Sequence, residues 1–201
     1  MNTDSSKQDT TVDVAIIGAG PSGAVAAALL RKAGRSVLVL ERQHFPRFSV
    51  GESLLPQSMA YLEEAGMLQA VVEAGFQYKN GAHFIYRDQS SSFDFRDKHT
   101  PGWGTTYQVE RAVFDDLLIK CAAKQGAKVR FGHTVQAMQT GTAPVLDVID
   151  EAGVVYRVHA RFVLDASGFG RVLPRLLILE TPTRMPTRAA IFTHVRDGIP
   201  A

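Results

Sequence analysis

Residues 12–41 read VDVAIIGAGPSGAVAAALLRKAGRSVLVLE. An almost wholly apolar run, Val12 to Gly18, leads into the loop Gly18-Ala19-Gly20-Pro21-Ser22-Gly23. An Ala/Leu-rich helix follows from Pro21 to about Ala33, Gly34 stops it, and a second apolar run, Ser36 to Leu40, ends at Glu41. Strand, glycine-rich loop, helix, strand and acid in that order make one βαβ nucleotide-binding unit. Gly18 allows the tight turn, Gly20 lets the backbone approach a pyrophosphate, and Gly23 lets the helix pack closely on the sheet. Backbone N–H groups and the partial positive charge of the helix N-terminus then face the phosphates. Glu41 lies where ligands of open α/β sheets bind, and its carboxylate is suited to the hydroxyls of an adenosine ribose.

The remaining composition narrows the class. A chain of 201 residues, 45% hydrophobic and 21% charged, is long enough for one or two domains with a sizeable core. A formal charge of +2, with Lys and Arg scattered rather than clustered among aromatics, argues against nucleic acid as a partner. The single cysteine, Cys121, excludes an internal disulfide and fits a reducing compartment. It shares the apolar side of a predicted helix with Phe114, Leu117 and Leu118, which is core packing. The six histidines show no metal-ligand spacing, so no metal is expected. Residues 1–11 are polar and lack the apolar centre of a signal peptide, so they read as a disordered tail. Glycines and Pro21 interrupt the apolar stretch from Val14 to Leu30, so no membrane span is expected and a cytoplasmic location follows.

Beyond Glu41, residues 42–52 carry Pro46 and Gly51 and read as an extended segment running over a ligand. A helix is expected from Pro56 to about Leu68, extended after a break by Ala70 to Ala74. Residues 76–98 alternate polar and aromatic or aliphatic side chains, a strand pattern with a hairpin turn near Asp88 to Ser92. A further helix spans about Arg111 to Gln125, with Gly126 as its stop, and a strand covers Lys128 to Phe131. Two strands, Val145 to Ile149 and Val154 to Val158, are joined through Asp150 to Gly153. The run Arg161 to Leu164 enters another strand, which ends at Asp165-Ala166-Ser167-Gly168. Asp115 and Asp116 fall early in their helix, where the macrodipole alone accounts for acids.

Four segments, GAGPSG at 18–23, FPRFSVGESLLP at 45–56, YQVERAVFDDLL at 107–118 and VLDASGFGRVLPR at 163–175, together resemble flavin-dependent halogenases and the related geranylgeranyl-reductase-like flavoproteins. The resemblance implies an α/β fold, a Rossmann-like FAD-binding βαβ domain with an interleaved β-rich substrate region. It places FAD-binding segments at 12–75 and 107–175, substrate-region strands at 76–106, and the start of a further substrate region at 176–201, incomplete at its C-terminal end. FAD is the implied cofactor, with Gly18, Gly20, Pro21, Ser22, Gly23, Glu41, Arg47, Gly51, Glu52, Ser53, Gln108, Arg111, Asp165 and Gly168 as its binding residues. Arg47 and Arg111 would pair with the pyrophosphate, a task suited to guanidinium forks, though each is equally at home as a solvated arginine. Asp165 would accept ribityl hydroxyls, or serve only as a turn residue.

In halogenases of this family a lysine on an aromatic strand after the flavin-covering strap handles hypohalous acid, and FQYKNGAHF places Lys79 in the matching context. The implied reaction uses reduced flavin from a separate reductase, oxygen and chloride or bromide to halogenate an electron-rich aromatic. The alternatives are a flavin-dependent reductase or monooxygenase without halide chemistry, and an inactive FAD- or ADP-binding remnant. The lone tryptophan, Trp103, means that the WxWxIP element of tryptophan-type halogenases is not in these residues. No late Gly-Asp segment follows DASG, so the chain is expected to be the N-terminal part of a longer enzyme.

Overall fold

The computed structural model describes residues 9–189, 191 and 193. Its strands are β1 (Thr10–Ile17), β2 (Val37–Glu41), β3 (Gln77–Lys79), β4 (Gly81–Tyr86), β5 (Gln89–Asp94), β6 (Thr106–Gln108), β7 (Lys128–Phe131), β8 (His133–Gln139), β9 (Val145–Asp150) and β10 (Val155–Asp165). Its helices are α1 (Pro21–Lys32), α2 (Pro56–Glu64), α3 (Leu68–Glu73), α4 (Arg111–Lys124) and α5 (Val172–Leu176). The main sheet has the order β7-β2-β1-β10-β9-β8. β7, β2, β1 and β10 run parallel, whereas β9 and β8 extend the sheet antiparallel.

Why the βαβ unit forms is visible in its burial. All five residues of β2 are buried, as expected for a central parallel strand covered on both faces. α1 turns Gly23, Ala24, Ala27 and Ala28 inward, a stripe of small residues that brings the helix axis close to the sheet. Gly34, at φ +74°, ends it in the left-handed region that glycine adopts at low cost. One core layer lies under α1 and α4, where Ile16, Val39, Phe114, Leu118 and Ala122 meet. The opposite layer joins Ala15, Leu38, Leu40, Val135, Leu146 and Tyr156, with Leu173 and Leu176 of α5 packed against it.

Several expectations shift. β1 starts at Thr10, because Thr10 and Thr11 pair with Val158 and His159 and so leave the supposed tail. The hairpin turns at Arg87-Asp88 rather than within 88–92. Arg87 takes φ +55°, the geometry of a two-residue turn whose twist matches the strands, and Ser90, Ser91 and Ser92 become strand residues. The strands read separately at Val154–Val158 and Arg161–Leu164 are one strand, β10. Its first part, Val155 to His159, pairs with β9 and its later part, Val158 to Asp165, with β1, so the overlap leaves no break. β8 was not anticipated at all. The last part of the further substrate region expected at 176–201 lies outside the described residues.

Candidate functional site

A cavity of about 470 Å³ opens at the C-terminal ends of β1 and β2, lined by the Gly18–Ser22 loop, Glu41, Arg47, Arg111, β8 residues from His133 to Val135, and the turn from Ala166 to Gly170. The three loop glycines serve different ends. A Cβ on Gly18, at φ +101°, would lie 2.6 Å from the Ala166 carbonyl oxygen, and one on Gly23 would lie 2.0 Å from the Gly18 carbonyl oxygen. Both are required by the chain's own backbone. A Cβ on Gly20 would meet only the Arg47 guanidinium, at 3.6 Å, and Gly20 has an ordinary φ of −63°. Protein packing does not require its smallness, which leaves the loop backbone open for close approach from the cavity.

Glu41 is buried at the end of β2, as its acid-at-strand-end position anticipated. One carboxylate oxygen accepts the Ala19 N–H at 2.9 Å and the other the Gln43 N–H at 3.0 Å. It therefore holds the glycine-rich loop in place while facing the cavity, leaving lone pairs for further donors.

On the opposite wall Arg47 and Arg111 converge on Asp115. Arg111 donates through Nε and Nη2 to the two carboxylate oxygens of Asp115, at 2.8 and 3.0 Å. Arg47 Nη2 lies 3.5 Å from Oδ2 of the same carboxylate, and its guanidinium sits 4.8 Å from the Phe45 ring centroid. Asp115 is fully buried. The macrodipole explanation fails for it: it sits in the second turn of α4, paired with two arginines. Arg47 Nε is buried with no hydrogen-bond partner. Such a donor is costly to leave unmade, and being sealed from solvent it lies within the wall rather than open to the cavity.

The segment after Glu41 crosses this wall and is fastened to it. Arg111 Nη1 donates to the Val50 carbonyl at 2.8 Å, with the Gly51 carbonyl at 3.4 Å. Gly51 takes φ +112°, and a Cβ there would lie 3.0 Å from Nη1. The Gly51 N–H faces a Glu52 carboxylate oxygen at 3.4 Å. Further along, the Val109 N–H donates to the Glu52 carbonyl at 2.8 Å, Ser53 bridges Gln108, and the Leu54 N–H donates to the Tyr107 carbonyl at 3.2 Å. Lys79, on β3, donates from Nζ to Ser53 Oγ, has the Leu54 carbonyl at 3.5 Å, and lies 5.1 Å from the Phe95 ring centroid. Lys79 is outside the cavity lining but tied to the strap that forms one wall.

A family profile described as FAD binding domain matches residues 11–193. The chain belongs to the FAD-binding domain family. FAD is accordingly its cofactor, and the residues present fit it: a loop shaped for close backbone approach, a buried acid by the loop, and two arginine side chains lining the same cavity.

The FAD-binding domain has informative relatives. It is 32% identical over 162 residues to a tryptophan 2-halogenase from Chondromyces crocatus, covering 79% of this chain and 30% of that protein. Among solved structures, a flavoprotein/dehydrogenase from Cytophaga hutchinsonii superposes with a TM-score of 0.84 at 45% identity, covering 87% of this chain and 44% of the other. A myxobacterial chondrochloren halogenase does so with a TM-score of 0.71 at 33% identity, covering 78% and 37%. The chain thus spans less than half the length of each.

Asp165 of the FAD-binding domain gives one carboxylate oxygen to the Ser167 N–H at 2.9 Å and the other to the Leu173 N–H at 2.8 Å. It lies behind the cavity lining, whereas Ala166, Ser167 and Gly168, the last at φ +55°, form the lining itself. Sequence reasoning missed two contributors. Asp115 was signalled only by its i,i+4 spacing from Arg111. His133 had no local signal, and its Nδ1 lies 2.9 Å from the Tyr156 hydroxyl. No helix among the described residues is long and apolar enough to cross a membrane, and no group of potential ligands there could hold a metal ion.

Proposed function

We propose that this chain is the FAD-binding part of a cytoplasmic flavin-dependent halogenase, which uses oxygen, halide and flavin reduced by a separate reductase to halogenate an electron-rich aromatic. The observation that carries this reading is the attachment of Lys79 to Ser53 on the strap, in a chain related to halogenases. When bound, FAD supplies the redox chemistry that oxidises halide.

The chain's residues position, shield and direct. The α1 N-terminus at Pro21 and Ser22, with the Gly20 backbone, receives the pyrophosphate between itself and the guanidinium forks of Arg47 and Arg111. Glu41 accepts ribose hydroxyls. Gly51, Glu52, Ser53 and Gln108 would fix the strap over the cofactor, and Asp165 would act through the Ala166–Gly168 turn, whose residues would meet ribityl hydroxyls. The Lys79 ammonium donates a hydrogen bond to the oxygen of hypohalous acid, leaving the halogen electrophilic and aimed at the aromatic.

The 45% identity to a flavoprotein/dehydrogenase supports a second reading, a flavin oxidoreductase without halide chemistry. Mass spectrometry decides between them. The protein carrying these residues, given reduced flavin, oxygen and a panel of phenols and pyrroles, should yield products whose mass follows the halide supplied. Oxygen consumption with no halogenated product from any member would overturn the halogenase reading.

A further inference from the structure

Two guanidinium groups against one carboxylate leave a net positive charge on the cavity wall, and the carboxylate is the group that fixes where that charge sits. Asp115 is fully buried, and the side chains of Arg111 and Arg47 are 15% and 18% exposed. A buried carboxylate with no counter-charge would be strongly disfavoured, so Asp115 depends on these arginines as much as they depend on it. Its two oxygens take the Nε/Nη2 edge of Arg111 and draw in Nη2 of Arg47, and both arginines line the cavity. Gly20 lies beside Arg47, an added Cβ falling 3.6 Å from Nη2. The cavity that the glycine-rich loop and the arginine pair line together is where a diphosphate would lie.

We propose that Asp115 is a positioning residue for the diphosphate of the cofactor: it touches no cofactor atom, but orients Arg47 and Arg111 so that their free N–H groups meet the phosphate oxygens. The inference rests on the assignment of this cavity to FAD and goes beyond it, because it credits diphosphate recognition to a carboxylate, which by its own charge repels the ligand. That opposition makes it testable. If Asp115 acted only as a local negative charge, its neutralisation would strengthen diphosphate binding; if it positions the arginines, neutralisation weakens it.

The test is titration of the purified chain with ADP and with adenosine, which share every contact but the diphosphate. D115N should weaken ADP binding roughly tenfold, the scale of one charge-assisted hydrogen bond, and leave adenosine within about twofold. Unchanged or tighter ADP binding would overturn the proposal, and so would an equal loss for both ligands, which marks a merely structural role. D115N leaves two buried cations unopposed, so the pair R47M and R47M/D115N provides a second route in which one buried cation is removed with the anion. The double variant should bind ADP several-fold more weakly than R47M, because Arg111 has lost the carboxylate that fixes its Nε/Nη2 edge and keeps only the strap carbonyls on Nη1; equal or tighter binding overturns the proposal. A wild-type chain that binds adenosine and ADP equally would refute the FAD assignment itself, a result distinct from either variant outcome.

Discussion

Lys79 and Ser53 are joined across two segments 26 residues apart: the lysine ammonium on β3 donates to the serine hydroxyl on the strap that walls the cofactor cavity. A lysine that only decorated a strand would tolerate replacement at little cost, since surface substitutions usually stay within about 0.5 kcal/mol. In the protein carrying these residues, Lys79→Met should leave flavin binding and oxygen consumption intact and abolish halogenated product, with peroxide released instead. Lys79→Arg keeps the charge but cannot lose a proton to form a haloamine, so activity in this variant alone would assign hydrogen bonding as the lysine's role. Full halogenation by both variants would remove Lys79 from the mechanism.

The different surroundings of two glycines give opposite predictions for similar changes. Gly20→Val should abolish FAD and ADP binding while the thermal unfolding midpoint stays nearly constant, because the new side chain projects into the cavity. Gly23→Ala should do the reverse of sparing the fold: its Cβ would lie 2.0 Å from the Gly18 carbonyl oxygen, so α1 must move off the sheet. Calorimetric unfolding of both, beside FAD titration, checks this. Retained flavin in Gly20→Val would place the cofactor away from the loop.

How much of this was legible in the sequence follows from how local each signal is. The unit from Val12 to Glu41 was readable because strand period, glycine loop and acid all fall within 30 residues, and β1, α1 and β2 lie within two residues of the expected bounds. β8 was not, because HTVQAMQ buries only His133 and Val135 and its polar positions hide the alternation. Asp115 was read as an acid that the helix macrodipole alone explains, since its burial depends on Arg47, which lies 68 residues earlier and reaches it only through the path of the strap. The strap was readable as an extended segment, but its fastening to Gln108 and Lys79 is a tertiary contact without a local signature.

Glu41 holds the glycine-rich loop, and on the proposed reading it also accepts ribose hydroxyls, so its removal should cost more than a ribose contact. Glu41→Ala frees the Ala19 N–H and removes the ribose acceptor. One charge-assisted hydrogen bond is worth about 1.5 to 3 kcal/mol, so FAD affinity should fall by about one to two orders of magnitude. Glu41→Gln, which keeps an acceptor oxygen, should recover part of the loss in the same titration.

In the β4–β5 hairpin region, Arg96 holds the Asp94 carboxyl down to about 2, chiefly through side-chain and backbone hydrogen bonds. A folded-state value below the unfolded one gives stabilisation that is present above the ordinary carboxylate range and lost as the pH falls toward 2. Arg96→Met should return the Asp94 carboxyl toward its ordinary range in an NMR pH titration. An unchanged midpoint would show that the pair does not form in solution.

The most direct test of the account is competition at the cavity. Purified chain is saturated with FAD, and ADP or riboflavin is then titrated in while flavin fluorescence is followed. The loop, Glu41 and the two arginines predict that ADP displaces FAD competitively and that riboflavin, which lacks the adenosine and the diphosphate, does not. Displacement by riboflavin with no effect of ADP would contradict the assignment of these residues to the cofactor.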